Sequence, residues 1–282
     1  MKRRVYCAII AFGTVLVATA EDVGFSLLFR TAPNGKPERV AWTNAVGRTC
    51  ENEGGCTRTV YRFAEGSPAK SVTVRERSLA GGETRRRIAV ETASGWNLEE
   101  VDFPIVRLVS EVMASSRDLR LVLGAAKGGV AVDPMKKPVG WRWFVRDPER
   151  MIASFAAAYA GKRGFYFAAE DEGFDVKRIA FERDASGVSL THSIECWTGG
   201  RFEMGYDVVT RRVESSGDDL VWEDFADIYR KWNDRQPWMR TAFTDRKDVP
   251  DWMKRGPAMT RFSRQWLESP DGMAAFMKWW RG

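Results

Sequence analysis

Twelve tryptophans, a single histidine, a short acidic cluster and four cysteines are the residues in this 282-residue sequence whose chemistry could define a function. Tryptophan faces stack on sugar rings because axial C–H groups meet an electron-rich π surface, much as cations do. Trp141 and Trp143 stand at strand spacing in Gly140-Trp141-Arg142-Trp143, so both rings point to one face and are the candidate carbohydrate contacts. Core packing accounts for that pair equally well, and it is the better account of the seven tryptophans from Trp222 to Trp280. Glu170, Asp171 and Glu172 end a strand ahead of Gly173, and acids at such a turn ordinarily face water. His192 alternates with Leu190 and Ile194, which reads as a hydrogen-bonded core histidine. No nucleophile-elbow sequence accompanies it, so a Ser-His-Asp site is not supported. No two acids form a persuasive catalytic pair, and the sequence names no catalytic residue.

Metal and cofactor sites are not expected. There is one histidine and no CxxC spacing, which disfavours zinc. Cys50 and Cys56 bracket Glu-Asn-Glu-Gly-Gly, a loop able to bring them together, so an oxidising compartment would permit a Cys50–Cys56 disulfide. Two reduced thiols, or a bridge from one of them to Cys196, fit the sequence as well.

The compartment is read from the N-terminus. Lys2, Arg3 and Arg4 precede an apolar run over 8–17, and Ala18-Thr19-Ala20 supplies small residues for cleavage. The run is too short for a membrane span, which needs roughly 20 residues. Residues 1–20 are therefore expected to be a cleavable export signal, giving a secreted or periplasmic protein with no stable membrane anchor. The chain carries 44 Lys+Arg against 38 Asp+Glu; without the three basic residues of the signal the net charge falls to +3. The densest basic spot, Arg85-Arg86-Arg87, reads as the start of a strand, so nucleic acid is not an expected partner.

These residues need elements to hold them. From about 23 to 213, short alternating runs are separated by Gly, Pro, Asn and Asp turns. Examples are Val72 with Val74, Ile88 with Val90, and Leu119, Leu121 and Leu123. Asp184-Ala185-Ser186-Gly187 reads as a hairpin turn between two such runs. Residues 151–160 are alanine-rich, but their setting before Gly161 and a clear strand favours a hairpin. The pattern predicts a mainly β chain forming a large antiparallel β-sandwich over 21–215. Beyond 216 the period changes: Val221, Phe225, Ile228, Tyr229 and Trp232 share one helical face, after a loop at 215–219 that can cap it. Acids in the first turn, bases later and Pro237 beyond complete the helix signature. A strand over 258–262 and a helix over 271–280 are expected near the end.

The segment from Gly217-Asp218-Asp219-Leu220-Val221-Trp222 through Ile228-Tyr229-Arg230-Lys231-Trp232, with Gln236-Pro237-Trp238 and Val249-Pro250-Asp251-Trp252, resembles bacterial glycosidase-like proteins of domain-of-unknown-function family 6259. Residues 97–104 and Gly164-Phe165-Tyr166-Phe167-Ala168-Ala169-Glu170-Asp171 resemble two further stretches of that family. The resemblance implies a β-supersandwich joined by the helix at 216–250 to a (β/α)8 barrel, of which 251–282 would hold only the first β/α unit. Asp171 would then border the seam between sandwich and barrel. It further implies a carbohydrate-processing ancestry without its own catalytic barrel, since such barrels act at the ends of several strands. Polysaccharide or oligosaccharide, or a separate barrel polypeptide, are the partners it suggests. The rival expectations are a stand-alone carbohydrate-binding module and one half of a split hydrolase.

Overall fold

The computed structural model describes residues 23–108, 119–125, 133–147 and 151–254. The expected signal at 1–20, the strand at 258–262 and the helix at 271–280 lie outside the described residues. Among the described residues, alternating sequences give fifteen strands in two antiparallel sheets. A six-stranded sheet runs in the order β2 (Glu38–Ala41), β1 (Val23–Arg30), β7 (Asn97–Arg107), β13 (Gly187–Thr198), β12 (Lys177–Asp184), β9 (Arg142–Asp147). A nine-stranded sheet runs β3 (Gly47–Glu53), β4 (Cys56–Arg62), β5 (Ala69–Ser78), β6 (Glu83–Thr92), β15 (Asp207–Glu214), β11 (Arg163–Glu170), β10 (Met151–Ala160), β8 (Arg120–Ala125), with β14 (Arg201–Glu203) also on β6. The alanine-rich segment is thus a strand, paired with β11 through Gly161-Lys162. The hairpin expected at 184–187 also forms, with Asp184 opposite Gly187.

Because side chains alternate across a strand, each sheet sorts its residues into an inner and an outer set. The inner sets, including Leu27, Val101, Phe103 and Phe181 from one sheet and Ile88 and Phe167 from the other, close into one buried core. The two outer faces differ. That of the nine-stranded sheet is apolar around Phe155, Ala157, Tyr166, Ala168 and Val209, and this patch is covered by helix α1 (Trp222–Asn233). Phe225 of α1 is fully buried and its ring stacks near Tyr159, with centroids 5.4 Å apart. The helix lies so close to β11 that a Cβ on Gly164 would stand 2.5 Å from the Phe225 ring. The helix starts later than the 215–219 loop suggests. The Asp224 carboxylate in its first turn accepts from the Val221 amide at 2.8 Å, so the cap is made from inside the helix.

A second unit begins at Asp234. Its described part comprises the 3-10 turns Pro237–Met239 and Phe243–Asp245, an Arg246–Asp248 ion pair and one helical turn, Asp251–Lys254.

Candidate functional site

The side chains with chemical potential gather at one end of the sandwich. Lys177 opens β12 on the inward face, in the alternation set of Ile179 and Phe181, and is fully buried. Its Nζ lies 2.9 Å from Asp147 Oδ2 and 2.7 Å from Asp171 Oδ2, and donates to the Asp175 carbonyl at 3.1 Å. Asp147 is its register partner on β9, whereas Asp171 follows β11 of the other sheet, so the ammonium ties the two sheets together. Ser154 of β10 donates to Asp147 at 2.8 Å. The second function of Asp171 is local. Its carboxylate accepts from the amides of Gly173 and Asp175 at 2.8 and 2.7 Å, folding the 171–176 loop around itself.

Asp171 is therefore not the solvated turn residue that its acidic neighbours suggest; it is 5 % exposed. Glu170 is likewise engaged, 2.7 Å from Arg85, which also meets Glu83 and Asp207. Burial raises the Glu170 carboxyl above its ordinary range, and Arg85 opposes that. The Lys177 ammonium also stands 5.7 Å over the Tyr206 ring, and Tyr206 Oη lies 3.1 Å from His192 Nε2. His192 Nδ1 lies 2.6 Å from the Phe103 carbonyl, which fixes the proton on Nδ1 and leaves Nε2 to accept from Tyr206. Burial lowers the imidazole pKa to about 4, helped by Lys177 and opposed by the Phe103 carbonyl and Asp171. The histidine is thus neutral, sealed from solvent and equipped with both hydrogen bonds, as its inward alternation predicts.

Trp143 lies on the core side of β9, its ring 6.3 Å from Phe181, and Trp141 packs against the same core. The common face that their spacing implies is the inner one, and neither indole lies open on the outer sheet. The cysteines also differ from the bridged alternative. Glu53 pairs with Cys56 across a two-residue turn, Gly54-Gly55, with φ of 56° and 82°. Both values lie in the left-handed region that such hairpin turns require. That turn places Cys50 opposite Thr59, three positions from Cys56. An odd offset puts the two thiols on opposite faces of the sheet, where no disulfide can join them. Both are free, as is Cys196, whose thiol burial pushes up to about 12, with Glu100 and Glu99 adding to the shift.

The outer face of the six-stranded sheet was not legible as a site in the sequence. It carries a polar ladder: Arg39 meets Asp102 at 2.9 Å and Glu100 at 3.3 Å, Ser193 donates to Asp102 at 2.6 Å, and Arg178 reaches Glu100 at 2.9 Å. Arg146 and Arg178 are direct cross-strand neighbours, an arrangement that repels unless each has its own carboxylate. Each has one, Glu195 for Arg146 and Glu100 for Arg178. Burial raises the Asp102 carboxyl above its usual range, with the Ser193 hydroxyl and Arg39 pulling the other way. Two residues beyond Glu195 on the same face is Trp197, 48 % exposed. At the tip of the loop built on Asp171 is Phe174, 55 % exposed with φ of 58°. A left-handed conformation costs a residue with a Cβ roughly 1–2 kcal/mol, which the buried anchoring of the loop must offset.

No family model matches the chain, and no curated protein sequence matches it. Solved structures do. An alpha-N-acetylgalactosaminidase from Bifidobacterium bifidum, in complex with GalNAc, superposes with a TM-score of 0.54 at 13% identity, over 79% of this chain and 35% of that one. A GH36 alpha-galactosidase from Geobacillus stearothermophilus gives a TM-score of 0.43 at 12% identity, over 67% and 30%. The chain spans about a third of the length of the solved structures it matches. The class is thus a large antiparallel β-sandwich of a kind found within glycoside hydrolases. At this identity the likeness is one of fold.

Proposed function

We propose that this chain is an exported, carbohydrate-associated β-sandwich of glycosidase-like descent that does not hydrolyse glycosides by itself. The observation that carries the reading is the shared fold with part of the Bifidobacterium bifidum alpha-N-acetylgalactosaminidase. The family 6259 resemblance, strongest at 217–252, supports it independently. Glycoside hydrolysis ordinarily needs two carboxyl groups flanking the scissile bond, with one free to donate a proton. Among the described residues, the buried carboxylates Asp102, Asp147 and Asp171 each face a cation and a hydrogen-bond donor instead. A hydrolytic reaction would then need catalytic groups beyond the described residues. Purified protein incubated with aryl α-galactoside and aryl N-acetyl-α-galactosaminide should release no aryl alcohol. Turnover that survives repurification would contradict the non-catalytic reading. Export is tested separately by N-terminal sequencing of the protein from culture fluid or periplasm, where Glu21 is the expected first residue and Met1 would contradict it.

A further inference from the structure

We propose that Lys177 and Asp171 form an intramolecular amide cross-link, with Asp147 as the base that carries the proton. The proposal is independent of the carbohydrate reading, and either can fail without the other. It rests on how the buried clasp is built. An ion pair needs one carboxylate for one ammonium, yet Lys177 Nζ meets two, Asp171 Oδ2 at 2.7 Å and Asp147 Oδ2 at 2.9 Å. The two carboxylates are not equivalent. Asp171 accepts a backbone amide on each oxygen, from Gly173 at 2.8 Å and from Asp175 at 2.7 Å. Fixed donors of this kind stabilise the negative charge that develops on a carboxyl oxygen when its carbon is attacked. Asp147 accepts instead from the Ser154 hydroxyl and lies against the nitrogen, where a base is needed to activate an amine nucleophile.

Burial and order supply the rest. Lys177, Asp147 and Asp171 are all buried, the Asp175 carbonyl holds the same Nζ at 3.1 Å, and the Tyr206 ring lies 5.7 Å from it. Groups positioned in this way can react as though present at roughly 10⁵ M or more. A site closed to bulk water also protects the product from hydrolysis. In the step, the Lys177 ammonium gives one proton to Asp147, and its nitrogen forms a bond to Asp171 Cγ. One C–O bond of Asp171 breaks. The departing oxygen takes the proton held by Asp147 and a second from the nitrogen, and leaves as water. Ammonium and carboxylate thus become one neutral secondary amide and one water, with no oxidant, reductant or cofactor. The product closes residues 171–177 into a covalent ring and makes permanent the tie between β12 and the segment that follows β11.

The test is intact-mass and tryptic-peptide mass spectrometry on the purified, folded full chain, denatured only for the measurement. The wild type is expected to be lighter, by the mass of one water, than its sequence counted from its measured N-terminus. Trypsin does not cut after an acylated lysine, so the peptide Gly164–Arg178 should appear uncut at Lys177 and one water short. Lys177→Arg and Asp147→Asn should each have full mass. A folded wild type at full mass, cut after Lys177, overturns the proposal even if both variants misfold. Water loss that survives in Lys177→Arg, or that lies in a peptide still cut after Lys177, is a different dehydration and overturns it as well. A link from Lys177 to the peptide that begins at Asp147 would overturn the assignment to Asp171. A folded Asp147→Asn that joins Lys177 to Asp171 as completely as the wild type would contradict Asp147 as the base.

Discussion

Lys177 is the residue on which most of this structure's electrostatics turns. A fully buried ammonium is tolerated because two carboxylates, a carbonyl and an aromatic face surround it. Removing one partner of such a group leaves the others unpaired in a dry interior, so Lys177→Met is expected to destabilise the sandwich by about 3–5 kcal/mol, measured by urea denaturation. A change below 1 kcal/mol would mean that water reaches the pair. His192 makes a pH-dependent contribution of opposite character. Its folded pKa of about 4 lies below the ordinary 6.5, so the unfolded chain binds the proton more readily. Stability from this group is complete above pH 6.5 and falls as pH drops from 6.5 to about 4, by at most about 3 kcal/mol. The denaturation midpoint should therefore decline over that window in the wild type and decline less in His192→Gln; parallel slopes would exclude the histidine as the cause. The thiols supply a third residue-scale prediction. Under native conditions without reductant, iodoacetamide should modify Cys56 and leave Cys196, whose thiolate is suppressed by burial, and mass spectrometry should find no Cys50–Cys56 cross-link.

At the scale of elements, the docking of α1 depends on one missing Cβ. Gly164→Ala would force the methyl into the Phe225 ring, which also packs against Tyr159, the cross-strand partner of Gly164. Overpacking of that kind costs about 1–3 kcal/mol, and it should appear as a lower melting temperature that Phe225→Leu in the same chain partly restores. No rescue would indicate strain within the sheet instead. This contact also shows what can be read from sequence. The strands and the helix were legible because alternation and the 3.6-residue period are local, and even the alanine-rich 151–160 resolved through its neighbours. The inward histidine was legible for the same reason. The Lys177 clasp was not, because Asp147 and Asp171 come to it through sheet register and sheet stacking, neither of which leaves a local pattern. A lysine in the alternation set of Ile179 and Phe181 was the one available hint. The cysteine pair misled for a related reason: six residues of separation look closable, but a two-residue turn sets an odd offset. The tryptophan pair was placed on a common face, and only the packing of the two sheets reveals that this face is the inner one.

The whole molecule presents two unlike exteriors. One sheet turns an apolar patch outward and covers it with α1, while the other turns out a ladder of ion pairs from Arg39–Asp102 to Arg146–Glu195. Buried rings such as Phe103, Phe167 and Phe181 build the core between the two sheets. The central claim is that the sandwich belongs to carbohydrate processing without catalysing it alone. Its most direct test is a glycan-array measurement on the purified, folded chain, with aryl glycoside turnover followed in the same preparation. The account predicts saturable retention on at least one glycan class with no released aryl alcohol. A folded protein that binds no glycan, or one that hydrolyses the substrates unaided, would contradict it.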